Sequence, residues 1–302
     1  RKFYNANNVE LNQWKTWNGI LSLAERYYEW SNGKALIAIE SLEDFIFAYS
    51  AQCLPVMIQT GNKEIKINTN KETLRAIWDF YYKGVVNGYI LQTDNVVEAL
   101  KNGEVAAYIG NPHDMSYFPD TYINLDGEES SLLISASSYP VVSESRKVAP
   151  HGGTGVCVFD SGEKINKESY AFLHWFCTSE NAIHFSTANN EISSYRPLYK
   201  KNSTTDYFKQ LSVLDYEKYY MMSQSVRQVM EGTTYAPTGF VGYESFCEDL
   251  ISSLSLTSEN GLEEIDKLGI NGFSREEAIE KVCDNTKFEE WYFHVIEIAN
   301  QY

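Results

Sequence analysis

At 302 residues the chain is long enough for two lobes with apolar cores of their own. Its formal net charge of -16, with no basic stripe to offset phosphate repulsion, excludes an electrostatic nucleic-acid binder, and no run approaches the roughly 18 apolar residues a membrane span needs. The five cysteines (Cys53, Cys157, Cys177, Cys247, Cys283) show no Cys-x-x-Cys and no Cys/His cluster at ligand spacing. Neither a metal nor a cofactor is therefore expected, and the thiols are expected free and mostly buried. Aromatic residues make up 14% of the chain, including 22 tyrosines. Tyr suits half-wet clefts and carbohydrate surfaces, and equally well ordinary rims and interfaces. Arg1 to Asn8 carry no signal-peptide pattern, so a leader or lipid anchor, if the protein has one, is expected upstream of this chain.

In chain order, Trp14 to Asn32 reads as a helix. Thr16 can cap it, Trp17, Ile20, Leu21, Leu23, Ala24, Tyr27 and Tyr28 recur at helical spacing, and Asn32-Gly33 stop it. Ala35 to Ile39 is a short strand whose end delivers Glu40, Ser41, Glu43 and Asp44. Those acids either line a site or merely favour the first turn of a helix running to about Ala51. Cys53 to Asn70 is irregular chain with short strand pieces. Asn70 then caps a strong helix with a stripe of Leu74, Ile77, Trp78, Phe80, Tyr81 and Val85, which assigns Trp78 to the core. Asp94 caps a short helix ending at Asn102. Val105 to Ile109, a continuous apolar run too short for a helix, reads as a strand buried on both faces and stopped by Gly110, Asn111 and Pro112. If this strand and Ala35–Ile39 are parallel neighbours, the acids meet Asn111, His113, Asp114, Tyr117 and Phe118 at one sheet edge. Open α/β sheets bind ligands there, outside the carboxyl ends of their strands.

Asp120 to Ser130 is acidic and turn-rich, and Leu132 to Val142 alternates into Tyr139-Pro140. The order of elements to this point gives an α/β lobe with mostly parallel strands. Ala149 to Asp160, APHGGTGVCVFD, is the second informative stretch. An esterase oxyanion loop would need a downstream G-x-S-x-G elbow, which is absent. A phosphate-cradling loop would need a helix directly after the glycines, where a short apolar strand is expected instead. What remains is a segment crossing between lobes, with Gly152 and Gly153 permitting close backbone approach to a ligand. Lys167 to Phe176 is helical, and Ser179 to Ala182 starts another helix; His174 and His184 fall within the two as structural residues. Beyond Asn189-Asn190 come Tyr195 and Arg196, the latter able to clamp a carboxylate or sugar hydroxyls, or to form a surface ion pair. Tyr207 to Met230 is helical. Phe240 and Tyr243 stand between glycines at the entry to a helix through Leu254, and Ser274 with Glu277 forms a capping box before a closing helical segment to about Asn300.

Gly103 to Phe118, GEVAAYIGNPHDMSYF, resembles the signature G-E/K-x-A-hydrophobic-x-I/V-x-G/N-x-P of the family 1 extracellular solute-binding proteins, the maltose- and maltodextrin-binding type of sugar ABC importers. The segment from Tyr170 to Phe185 is similar to that family's AxxFLxFLxSxExxxxF, and SREEAIEKV to its closing helix. The resemblance implies an α/β, helix-rich, type II periplasmic-binding-protein-like fold of two lobes. It assigns 1–12 to the end of the N-lobe and hinge, 13–150 to the C-lobe, 151–204 to the return segment of the N-lobe, and 205–302 to helices packing on the C-lobe. The family's opening N-lobe segment, which precedes the equivalent of Tyr4-Asn5, is expected to be absent, leaving apolar helix faces and strand edges exposed. The implied ligand-binding residues are Ser41, Asp44, Asn111, His113, Asp114, Gly152, Gly153, Tyr195, Arg196, Phe240 and Tyr243. His113 stands where the family often has a sugar-stacking aromatic; Tyr243 and then Phe240 are the candidate stacking rings, unless both pack beneath the helix start as core.

By that resemblance the chain is expected to capture a small-molecule carbohydrate between lobes and present it to the membrane permease of an ABC importer, with no catalytic residues. It would be extracellular, lipid-anchored at the cell surface or periplasmic, and monomeric unless the shortened lobe pairs. Two alternatives remain: an extracellular sugar-sensing module of a signalling system, and a glycosidase using two of Glu40, Glu43, Asp44 and Asp114. His113 beside Asp114 points to a ligand more polar than a maltodextrin.

Overall fold

The computed structural model describes residues 2–59, 64–153, 155–189, 191–193 and 216–302. After a short helix α1 (Lys2–Asn7) and a 3-10 turn (Leu11–Lys15), helix α2 (Trp17–Ser31) begins where the Thr16 hydroxyl accepts the Gly19 N–H, and ends on Asn32 in the left-handed region at φ 60°. The helix therefore starts three residues later than its apolar pattern suggests, because Trp14 belongs to the preceding turn. Strand β1 (Ile37–Ile39) leads into α3 (Leu42–Gln52), and the hairpin of β2 (Met57–Gln59) and β3 (Ile65–Ile67) into α4 (Lys71–Val86). Then come β4 (Ile90–Leu91), α5 (Val96–Lys101), β5 (Ala107–Ile109) and a 3-10 turn over Pro112–Tyr117. Asn95, not Asp94, caps α5, its side chain accepting the Glu98 N–H.

The central sheet has the order β4-β1-β5 with all strands parallel. β1, in the middle, is buried throughout, whereas β5 is half-buried along its length. The expectation of a β5 covered on both faces is not met: among the described residues β5 is the edge strand, with β1 on one side only, and it is half-buried along its length.

The acidic, turn-rich stretch forms a hairpin of β6 (Thr121–Ile123) and β7 (Glu129–Ser131). Leu132 to Tyr139 forms no strand; only Val141 makes a bridge, to Thr16. Strand β8 (Val148–Pro150) precedes the His-Gly-Gly segment and pairs in parallel with β9 (Thr233–Tyr235). No strand follows the glycines: no described strand pairs with 156–159, and Phe159 is 83% exposed. Beyond it run α6 (Glu163–Cys177), α7 (Ser179–Ala188), α8 (Tyr216–Glu231), α9 (Tyr243–Ile270), α10 (Arg275–Val282) and α11 (Asn285–Ala299). No helix among the described residues is long and apolar enough to cross a membrane.

The main core joins α2, α3, α4, α9 and α11 around aromatic contacts. Trp17 meets Phe45 and Phe80 edge-on at 5.3 and 4.9 Å, and Trp78 stacks on Tyr82 at 3.9 Å, with Trp291 5.2 Å away. By contrast no residue of α6 is buried, and Ile165, Tyr170, Phe172 and Trp175 are exposed. Cys177, at the end of α6, and Cys157, in the segment before it, are exposed, counter to the expectation of mostly buried thiols; all five thiols are free. Cys247 alone is fully buried, which helps push its thiol up to about 11.

Candidate functional site

The register Ile39↔Ile109 runs β1 and β5 out at the same edge, and the Glu40 N–H donates to the Ile109 carbonyl at 2.9 Å. The segments leaving the two strands are therefore held face to face. After β1, the Ser41 hydroxyl accepts the Asp44 N–H at 3.1 Å and so caps α3, placing Glu43 and Asp44 in its first turn. Desolvation and the Glu43 charge raise the Asp44 carboxyl above its ordinary value, against the pull of the Ser41 hydroxyl.

After β5, the chain turns tightly against Glu40. Glu40 Oε2 accepts the Asn111 N–H at 3.1 Å. A Cβ on Gly110 would sit 2.5 Å from that oxygen and 2.3 Å from the Tyr108 ring, so only glycine permits this approach. The Tyr108 hydroxyl donates to the Asn111 carbonyl at 3.2 Å, and Asn111 Oδ1 accepts the His113 N–H at 2.7 Å. The turn thereby brings Asp114 against Glu40. Burial first, then hydrogen bonding and charge from Asp114, lift the Glu40 carboxyl up to about 7. Burial and the same two acids raise the Tyr108 hydroxyl. Asp114 Oδ2 is buried without a hydrogen-bond partner, and the Tyr108 hydroxyl lies beside the same carboxylate. His113 Nδ1 lies 3.0 Å from the Asn189 carbonyl just beyond α7, and its ring stands edge-on to Tyr117, which is 63% exposed. This polar turn thus reaches from the sheet edge to the α6–α7 segment.

A second group of side chains comes from the start of α9. Tyr243 donates its hydroxyl to Glu43 Oε1 at 2.6 Å, stacks on Phe47 at 6.4 Å, and meets Phe240 edge-on at 5.9 Å. Burial and the Glu43 carboxylate raise its hydroxyl. Beside Phe240 opens a cleft of about 390 Å³ lined by Ile65, Ile67, Ala299 and Tyr302, with Glu64 and Lys66. Tyr139 has a buried hydroxyl without a partner, raised by burial and by the charge of Asp44.

The structure thus brings Ser41, Asp44, Asn111, His113 and Asp114 to one edge and links Tyr243 to it through Glu43. Gly152 and Gly153 are exposed, and no described atom lies within 4 Å of a Cβ built on either. Tyr195 and Arg196 lie outside the described residues. Sequence reasoning named Glu40 among the converging acids but left it out of the binding set, although its place directly after a buried strand was the signal. It missed Tyr108 and Tyr139, which look like ordinary strand or loop tyrosines. Among the described residues no group of three His, Cys, Asp or Glu side chains is arranged to hold a metal ion.

A family profile described as bacterial extracellular solute-binding protein matches residues 2–225. Among solved structures, the cyclic α-maltosyl-1,6-maltose binding protein of Arthrobacter globiformis is similar with a TM-score of 0.61 at 10% identity, over 95% of this chain and 65% of that one. A candidate oligosaccharide periplasmic-binding protein of Synechococcus sp. MITs9220, solved with zinc, gives 0.54 at 9% identity, over 94% and 66%. The chain therefore spans just under two thirds of the length of either neighbour. A search of curated protein sequences finds no match. At such identities the likeness establishes the fold, the helix-rich α/β architecture of two-lobed periplasmic binding proteins.

Proposed function

Because the chain belongs to the bacterial extracellular solute-binding proteins, we propose that it captures a carbohydrate, a sugar or short oligosaccharide, for delivery to the permease of an ABC importer. The observation that carries this reading is the parallel β1/β5 register, which gathers Ser41, Asp44, Asn111, His113 and Asp114 at one strand-end edge. Carboxylates and amides accept and donate to sugar hydroxyls, while the exposed Tyr117 ring beside His113 offers an apolar wall with a polar tip. Both solved neighbours are described as binding oligosaccharide-type ligands, which supports the same ligand class here. Micromolar capture requires about -8 kcal/mol, within reach of such a set of contacts together with an aromatic face. Tyr195 and Arg196, beyond the end of α7, complete the ligand set in this reading, and the protein works outside the cell, lipid-anchored or periplasmic.

A glycosidase is disfavoured by the acids themselves. Glycosidases hold two carboxyls about 5 Å or more apart, free to reach the glycosidic bond, whereas here Glu40 Oε2 accepts the Asn111 N–H and Glu43 Oε1 accepts the Tyr243 hydroxyl.

The test is a thermal-shift screen against mono- and oligosaccharides on the wild type, Tyr117→Ala and Asp44→Asn. A ligand in excess raises the midpoint by mass action. The expected result is a rise with one sugar class that both substitutions diminish. A panel of sugars that leaves the midpoint of the folded chain unmoved overturns the carbohydrate reading for this chain.

A further inference from the structure

His113 is held at the ligand edge from two sides. Its backbone N–H donates to Asn111 Oδ1 at 2.7 Å, which ties the chain at this position to the turn that leaves β5. Its ring reaches a different part of the molecule: Nδ1 lies 3.0 Å from the carbonyl oxygen of Asn189, 76 positions further along and directly after α7. The ring also stands edge-on to Tyr117, with centroids 6.0 Å apart and planes at 68°. Carbonyls at the end of a helix have no donor within it, and Asn189, whose own N–H goes back to Phe185 and Ser186, stands at such an end. A carbonyl oxygen only accepts, so the nitrogen that faces it carries the hydrogen. In a neutral imidazole one nitrogen donates and the other accepts, so a hydrogen kept on Nδ1 leaves the lone pair on Nε2. That lone pair is directed away from Asn189, and His113 is an exposed residue.

We propose that His113 is a specificity-determining residue of the ligand edge: the end of α7 holds its hydrogen on Nδ1, and Nε2 is thereby presented as a fixed acceptor that reads a hydroxyl of the bound sugar. Asn189 is the positioning residue, acting through its backbone carbonyl. The inference rests on the carbohydrate reading for what fills the edge, and it adds the direction of one hydrogen bond: at this point the ligand supplies the hydrogen. A ligand oxygen that only accepts, as in a carboxylate, a carbonyl or a methyl ether, meets the Nε2 lone pair and gains no bond there. Tyr117, beside the imidazole and 63% exposed, offers its ring to the apolar face of the same sugar. The carbonyl that sets the tautomer belongs to the end of α7, whereas the His113 backbone is anchored to the turn after β5. The acceptor is therefore defined only while these two parts of the chain lie together. An imidazole released from Asn189 is free to move its hydrogen to Nε2 and to present a donor instead.

The tautomer is read on the ligand-free protein, so its failure is separable from failure of the carbohydrate reading. Imidazole nitrogen NMR of histidine-labelled protein is recorded at about pH 8.5, above the ordinary imidazole value of about 6.5, with the His113 signals assigned by their loss in His113→Asn. The expected spectrum has Nδ1 protonated and Nε2 bare, the reverse of what an unconstrained histidine favours. A hydrogen on Nε2, two nitrogens averaged by exchange, or an Nε2 already engaged by a donor within the protein overturns the proposal. His113→Asn then separates recognition from packing, because the shorter side-chain amide can still donate to the Asn189 carbonyl but carries nothing in place of Nε2. Its ligand-free thermal midpoint should match that of the wild type, while affinity for the sugar found in the mono- and oligosaccharide screen should fall about tenfold, the loss of one hydrogen bond. Equal affinity in the two proteins overturns the role in recognition. A screen that finds no sugar overturns it together with the carbohydrate reading, and the spectrum still decides the tautomer.

Discussion

Glu40 also has a thermodynamic signature. Its carboxyl rises from an ordinary 4.5 to about 7 in the folded chain, so the native state binds more protons than the unfolded one between those values. Its contribution to stability is therefore fully present below about 4.5, declines as pH rises, and is lost above about 7. Glu40→Gln should unfold at the same temperature as the wild type near pH 5 and a few degrees higher near pH 8, as thermal denaturation across that range will record. A different residue ties down the chain that leads into β8. Gln52 is almost fully buried, and its Oε1 accepts from Trp17 Nε1 and the Val142 N–H while its Nε2 donates to the Pro140 and Val148 carbonyls. Gln52→Leu should leave those groups unpaired and cost about 3 kcal/mol or more, read as a lower urea midpoint. Tyr243→Phe keeps the ring on Phe47 and removes only the bond to Glu43, so its cost should be about 1 kcal/mol.

Local chemistry dictates where the helices begin. Thr16, Ser41, Asn70, Asn95 and Ser274 each accept a backbone N–H at a helix start, and Ser274 with Glu277 closes a reciprocal capping box. Thr16→Ala should destabilise by about 1 kcal/mol without altering the fold, measured by denaturant unfolding with the m-value unchanged. Where helices meet, glycine decides the spacing. A Cβ on Gly261 would come within 2.8 Å of the Tyr82 hydroxyl and 2.9 Å of Val86, so α9 lies against α4 only because that side chain is absent. Gly261→Ala combines this overpacking, about 1–3 kcal/mol, with a small gain in helix propensity. Net destabilisation is the expected sign. The strands are too short to carry such signals. β1 and β5 have three residues each, and their pairing comes from the helices that bury β1 on both faces.

Across the whole molecule, stability is divided unevenly. The core built on Trp17, Trp78 and Phe246 is continuous from α2 to α11, whereas α6 buries none of its residues and leaves Trp175 56% exposed. Amide exchange follows local opening, which is easiest where few apolar contacts are lost. Amides of α6 should therefore exchange well before those of α4 and α9 in a native-state hydrogen-exchange experiment. Equal protection in the three helices would mean that this face is covered in solution. The same face and the neighbouring Phe172 should bind an environment-sensitive apolar dye in the folded protein.

The sequence by itself determined most of the helices, the caps Thr16, Asn70 and Ser274, the apolar stripe that buries Trp78, and the two strand-end clusters Glu40–Asp44 and Asn111–Asp114, whose meeting it made conditional on the strands being parallel neighbours. These are written in periods of 3.6, in capping side chains and in strand-stopping Gly-Asn-Pro, all short-range signals. The family resemblance, too, came from segments in their order along the chain. Other features depend on which elements lie beside which, and only the tertiary structure decided them. A three-residue apolar run reads the same in the centre of a sheet as at its edge, so β5 looked fully buried until β1 took the middle place. GVCVF has the residues of a strand but no described neighbour to pair with, and a strand without a partner leaves its backbone groups to water. Glu40 became more than an acid after a strand once the register Ile39↔Ile109 set Asp114 against it. A carboxyl acquires a shifted affinity for protons from its surroundings in space, and no periodicity in the chain records those.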